Sequence, residues 1–224
     1  MVVGNGLLAN KFNNDFYNNY VVFASGVSNS TTIDTSLFER EKSLLIETLS
    51  DINLPILYFS TISLLTMKNP YFEHKKNMER IIQNSGKDYY IFRLPQVIGD
   101  IGNPNNIINF FKNKISNNQK FDIWGNSERS IIDVDDVLLI STNIINNFDI
   151  NKIYNVAGIE FKSIREIIEI LENILSKKSN YSIIENISEI TKENSNEVNI
   201  SISKLSLGTS DYTKNILEKY VKNI

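Results

Sequence analysis

Tyrosine and lysine stand four residues apart in the stretch NPYFEHKKNMERII, residues 69–82. On a helix that spacing puts Tyr71 and Lys75 on one face, one turn apart, so the ammonium can lie near the phenol. Asn69 reads as an N-cap and Pro70 as the first helical residue, which places Tyr71 in the first turn. A free phenol ionises near pH ~10, and a neighbouring cation together with a positive helix end favours its charged form. A phenol so tuned serves as an acid or base. The same two residues would also suit a solvated helix face, and the pair by itself does not decide between these readings.

Other groups with chemical capacity lie upstream. VVGNGLLAN, residues 2–10, carries Gly4, Gly6 and Ala9 as a G-x-G-x-x-A between an apolar run and a helical stretch. In a dinucleotide-binding turn the first glycine makes the bend and the second lets backbone approach a pyrophosphate. The third small residue lets helix and strand pack, and the helix start faces the phosphates. YFSTISLL places Ser60, Thr61 and Ser63 where an apolar strand ends, the end at which open α/β sheets bind ligands. Their hydroxyls could meet a substrate oxygen or simply cap the strand end.

Composition removes several alternatives. The chain has 224 residues, 42% of them hydrophobic and 22% charged, enough for a full core. A net charge of -3 gives no basic field for nucleic acid or an anionic membrane. Without cysteine there is no disulfide, thiolate or cysteine-held zinc. The single histidine, His74, argues against a histidine metal site and a Ser-His-Asp triad. VVGNG follows the first methionine with no charged lead or long apolar run, so neither a signal peptide nor a membrane span is expected, and a cytoplasmic location follows.

The elements that must hold these groups follow from periodicity. Short apolar runs (MVVG, YVVFAS, PILYFS, DYYIFRL) alternate with amphipathic stretches, which implies βαβ units and a parallel sheet covered on both faces. After Gly99 the rhythm loosens through KFDIWG, RSIIDVDDVLLISTNII, KIYNVAG and SIREIIEILENIL. The expectation is a cofactor-binding part over residues 1–99. Residues 100–224 form mainly a smaller α/β lobe, with some segments returning to the main sheet. TKENSNEVN, residues 191–199, reads as a polar connection.

Read in order, the glycine turn, VVFASG, YFSTIS, Tyr71-x-x-x-Lys75 with Glu79, FRLPQVIGD, FDIWGNSERSIIDVDDV and YNVAG resemble the extended short-chain dehydrogenase/reductase superfamily, in its NAD-dependent epimerase/dehydratase branch acting on nucleotide sugars. The resemblance implies a Rossmann-like sheet and an NAD or NADP cofactor. It makes Tyr71 the acid/base, has Lys75 hold the nicotinamide ribose and depress the tyrosine pKa, and gives Thr61 the reacting sugar oxygen. Gly4, Asn5, Gly6, Leu7 and Leu8 would surround the pyrophosphate. Ala24, Ser25, Gly26 and Ser60 would line the cofactor trough, and Pro95, Gln96 and Val97 would lie by the nicotinamide. Ser63, Asn105, Trp124 and Arg129 would meet the substrate, Arg129 through its diphosphate; a surface ion pair with Glu128 or Asp133 is the plainer alternative for Arg129. Asp133, Asp135 and Asp136 suit a helix start better than a metal cluster.

The chain departs from that pattern twice. The family places two more strands and a helix between the glycine turn and VVFASG, carrying the adenosine ribose carboxylate and the adenine walls. The ten residues KFNNDFYNNY, 11–20, are too few to build them. Where the family often has an active-site asparagine, this chain has Glu39, Arg40 and Glu41. The expected activity is an NAD(P)-dependent oxidoreductase on a nucleotide-activated sugar, inclined to a keto-sugar reductase in surface polysaccharide or glycan precursor biosynthesis. A 4-epimerase and a non-catalytic nucleotide- or sugar-binding protein are the alternatives, a dehydratase is disfavoured by Ile62 and Ser63 after the threonine, and a homodimer is compatible with all of them.

Overall fold

The computed structural model describes residues 1–100, 106–185, 190–208 and 210–221. Along the chain run β1 (Val2–Val3), α1 (Leu7–Lys11), β2 (Val21–Phe23), α2 (Thr35–Asp51), β3 (Ile56–Thr61), α3 (Pro70–Gln83), β4 (Tyr89–Leu94), β5 (Gln96–Ile98), α4 (Ile107–Ser116), β6 (Lys120–Trp124), β7 (Glu128–Asp133), α5 (Val134–Asn147), β8 (Lys152–Asn155), β9 (Phe161–Ser163), α6 (Ile164–Leu175), β10 (Asn180–Ile184), α7 (Asn196–Lys204) and α8 (Tyr212–Val221). The main sheet is parallel throughout, in the order β1-β2-β3-β4-β8. It is a Rossmann-like α/β sheet with helices on both faces.

Side-chain alternation along the strands divides the core in two. Val22, Leu57, Phe59, Tyr90 and Phe92 point to one face, where α5 packs together with Phe12 at the end of α1 and Tyr17. Val21, Phe23, Ile56, Tyr58 and Ile91 point to the other, beneath Leu45 of α2 and Met78 and Ile82 of α3. Both faces are apolar because both are covered. Glu79 fastens α3 to the sheet with a two-pronged pair to Arg93 of β4, at 3.0 and 2.6 Å.

A second apolar cluster gathers α4, α6 and α8 around Phe121, Ile123 and Ile131. Beside it β5 pairs with β7 in parallel and β9 with β7 antiparallel, while β10 pairs with β6. The chain nevertheless comes back to the main sheet in β8, which pairs with β4.

Residues 11–20 build no further strand: they finish α1 and make a single 3-10 turn at Asp15–Asn19, capped by Asn14. Among the described residues β1 is therefore an outer strand of the sheet. The polar stretch 191–199 is a different matter, because α7 begins inside it at Asn196. Val198 is fully buried and packs with α5, joined by Ile202, Leu205 and Leu207 and by the hydrogen bond from Ser201 to Asn143 of α5, and these dock a helix that polarity had concealed.

Candidate active site

A cavity of about 940 Å3 opens where the strands of the main sheet end and the second cluster begins. Its walls bring together Gly6, Leu7, Leu8, Ala24, Gly26, Ser60, Thr61, Ser63, Tyr71, Lys75, Pro95, Gln96, Val97, Trp124 and Arg129, residues that the sequence scatters over more than a hundred positions. Gly4, Asn5 and Ser25 do not line it. Asn105 lies outside the described residues, although its neighbour Asn106 lines the cavity and caps α4.

Gly4 acts from behind the wall. Its φ of +127° and the 2.6 Å that would separate a Cβ from the Ala24 carbonyl oxygen both demand glycine, since β1 and β2 run side by side there. Gly6 is the converse: a Cβ would meet nothing within 4 Å, so the backbone borders open space. The helix behind that turn has only five residues, so the strong dipole expected at its start is reduced to one turn of peptide groups. Its small residue Ala9 is buried.

The start of α3 forms as its residues dictate. Asn69 accepts from the Phe72 N–H at 3.0 Å and donates to the Ser30 carbonyl at 2.8 Å, while Pro70 occupies the first turn. This places Tyr71 against the cavity, with its ring edge-on to Phe72. Thr61 serves the cavity wall and caps the turn Ile62–Leu65, accepting from the Ser63 N–H at 3.3 Å. The buried Ser60 hydroxyl has no partner among the described residues.

Lys75 has a role that spacing alone does not give. Its ammonium is buried, 2.8 Å from Glu41 Oε1 and 3.2 Å from the Tyr58 hydroxyl. Glu41 Oε2 accepts from the Val27 N–H at 2.8 Å and meets His74 Nε2 at 3.0 Å, so this imidazole nitrogen carries its proton toward the carboxylate. Burial pushes the Glu41 carboxyl up, but the Lys75 charge and the hydrogen bonds from His74, Lys75 and Val27 outweigh it and bring it down to about 2. Burial pulls Lys75 down and its partners lift it above the ordinary lysine value; the carboxylate of Glu41 is the partner that counts, because the Tyr58 phenol is itself raised and neutral. The Lys75 Nζ lies 5.8 Å from the Tyr71 ring centre. It does lower the Tyr71 pKa, but burial raises it by more and Glu41 adds to the rise, so the net effect expected for this phenol is reversed.

On the far wall, Arg129 Nη1 donates to the Glu128 carbonyl oxygen at 2.6 Å, and desolvation lowers its pKa. The acidic trio beyond it is a helix start: Asp133 caps α5 by accepting from the Asp135 N–H at 2.9 Å. Lys219 pairs with Asp133 and Asp135 at 2.8 and 2.7 Å, and Lys11 with Asp135. No group of three potential metal-ligating side chains occurs among the described residues, and no helix there is long and apolar enough to cross a membrane.

Sequence reasoning missed Glu41 as a partner of Lys75, along with Tyr58 and His74. The usable signal was position: Glu41 lies on the buried stripe Phe38, Glu41, Leu45, Thr48 of α2, where a carboxylate must have a counter-charge.

Residues 57–157 match the sequence model of the NAD dependent epimerase/dehydratase family. No curated protein matches the chain significantly. Among solved structures, UDP-glucuronic acid 4-epimerase from Bacillus cereus, in complex with UDP-glucuronic acid and NAD, superposes with a TM-score of 0.70 at 19% identity, over 95% of this chain and 79% of that one. dTDP-glucose 4,6-dehydratase from Bacillus anthracis, in complex with NAD, gives 0.72 at 12% identity, over 91% and 71%. RMD from Pseudomonas aeruginosa, complexed with NADPH, gives 0.70 at 16% identity, over 89% and 79%. Residues 57–157 thus match the NAD dependent epimerase/dehydratase model, in a Rossmann-like fold that the chain shares with these proteins.

Proposed function

We propose that the protein is an NAD(P)-dependent oxidoreductase of a nucleotide-activated sugar, working as a keto-sugar reductase. The observation that carries this reading is the single cavity in which Gly6, Thr61, Tyr71 and Lys75 face Trp124 and Arg129. The residues present fit the pyrophosphate and the nicotinamide ribose of a dinucleotide: open space borders the Gly6 backbone, and Lys75 reaches the cavity beside Gly26, where a Cβ would come within 2.8 Å of its Nζ. The cofactor would supply or accept a hydride at a sugar carbon. Tyr71 gives the matching proton to the carbonyl oxygen, Thr61 orients that oxygen, Lys75 holds the ribose, and Arg129 meets the sugar-nucleotide diphosphate.

Reduction is favoured over epimerisation by the outer position of β1. An epimerase must keep its reduced cofactor through the keto intermediate, whereas a reductase exchanges it every turnover, which suits a site open on the adenosine side. The same feature is what a non-catalytic nucleotide- or sugar-binding protein would show. Incubation with NADH or NADPH and 4-keto nucleotide sugars separates the readings. Consumption of reduced cofactor, lowered at least about 100-fold in kcat by Tyr71→Phe, is the expected result. Sugar binding with no turnover would favour the binding protein, and tightly retained NAD(H) with epimer interconversion would favour the epimerase.

A further inference from the structure

Lys75 has three N–H donors, and two are spent inside the protein, on Glu41 and on Tyr58. Glu41 is fixed in turn by the Val27 N–H and by His74, whose ring is stacked on Phe38 at 4.7 Å. The ammonium is therefore held from behind by a carboxylate with no exposure of its own, and Lys75 lines the cavity with Gly26 beside its Nζ. Tyr71 shares that cavity wall.

We propose that Glu41 is a positioning residue: its carboxylate neutralises Lys75 and aims the remaining N–H into the cavity, so that Tyr71 is held as the neutral phenol that a carbonyl-reducing enzyme needs as its acid. This deepens the reductase reading above and rests on it for its direction. In that step the phenol O–H bond breaks, its proton passes to the carbonyl oxygen as hydride from a dihydronicotinamide reaches the carbonyl carbon, and the phenolate left behind faces Lys75 until solvent reprotonates it.

The charges around Tyr71 support this division of labour. From α3 it meets Lys75, with His74 directed to Glu41 and Glu79 committed to Arg93. Glu41 approaches from α2 and Tyr58 from β3, while Lys68, just before α3, and Glu73, in its first turn, are exposed and Arg129 lies across the cavity. Burial raises the phenol most; among the described residues Lys75 pulls it toward ionisation, and Glu41 opposes that pull.

The test uses the unliganded protein and is independent of turnover. Tyrosine labelled at Cζ with carbon-13 is titrated by NMR, with the Tyr71 resonance identified by its loss in Tyr71→Phe. In the wild type this resonance should stay at its neutral position to about pH 10, the ordinary tyrosine range. In Glu41→Gln, where Lys75 is left with no carboxylate, Tyr71 should ionise about one to three pH units lower. Glu41→Asp, which keeps the charge, should leave it close to wild type. A wild-type Tyr71 that ionises below about pH 9, or a Glu41→Gln protein with an unmoved Tyr71, overturns the proposal. If Glu41→Gln does not fold, the wild-type and Glu41→Asp titrations decide. An absence of turnover alongside the expected titrations would overturn the reductase reading and leave the clamp standing.

Discussion

Removing the Glu41 charge should lower stability in a way that depends on pH with a defined sign. The folded protein holds this carboxyl at about 2 instead of the ordinary 4.5. Each tenfold change in proton affinity corresponds to about 1.36 kcal/mol, so the depression contributes about 3 kcal/mol. The side chain has no solvent exposure, so no discount for screening applies. The elevated Lys75 is the same interaction seen from its other end and adds nothing further. A depressed carboxyl stabilises fully above its unfolded pKa and loses that contribution as pH falls toward the folded one. Glu41→Gln should therefore unfold about 6–12 °C below wild type at pH 7, using the usual shift per kcal/mol for a chain of this size. The gap should narrow steadily from about pH 5 to pH 2. Thermal melts followed by circular dichroism across that range measure it directly. A gap as wide at pH 3 as at pH 7 would refute the reasoning, as would a Glu41→Gln protein as stable as wild type at neutral pH.

The glycine turn offers a paired test. Gly4→Ala forces a Cβ against the Ala24 carbonyl at a φ of +127° and should cost about 2 kcal/mol or more in a melt. Gly6→Ala, with nothing within 4 Å, should keep stability within about 0.5 kcal/mol yet weaken NADH binding in a fluorescence titration, because its methyl enters the cavity border. With β1 as an outer strand, the adenosine half of a dinucleotide should gain little: reduced nicotinamide mononucleotide, NADH and NADPH should bind within about threefold of one another by calorimetry. A strong preference for NADH over the mononucleotide would contradict this.

Local signals carried much of the fold. Asn69 and Pro70 announce α3 because capping is decided within a few residues, and VVGNG, YVVFAS, PILYFS and DYYIFRL announce parallel strands because burial on both faces removes polar alternation. Tyr71 and Lys75 were legible as a pair for the same reason. What their surroundings do to them was not, because Lys75 meets Glu41 across 34 residues and two helices, and the burial that raises the Tyr71 pKa belongs to the assembled protein. Asn194 shows the same limit. It reads as part of a polar connection, yet its side chain accepts from the Ala157 N–H at 2.7 Å and donates to the Gly158 carbonyl at 2.9 Å, pinning the chain just after β8.

The distribution of connections over the two faces of the sheet fixes their handedness. From β1 to β4 the strands step across the sheet in one direction. The crossovers β2-α2-β3 and β3-α3-β4 pass over the face that holds Leu45, Met78 and Ile82. The crossover from β1 to β2, through α1 and the 3-10 turn, passes over the opposite face, where Phe12 and Tyr17 are buried. Equal direction over opposite faces means opposite hands. Since about 98% of such crossovers are right-handed, the first connection is the left-handed one. Strand twist works against that hand, so it must be imposed by what anchors Phe12 and Tyr17: the edge contact between Phe12 and Phe59 at 4.7 Å and the hydrogen bond from Tyr17 to Thr142 of α5 at 2.7 Å. The glycine turn and its strand are thus tied, through Phe12 and Tyr17, to β3 and to a helix more than a hundred residues downstream.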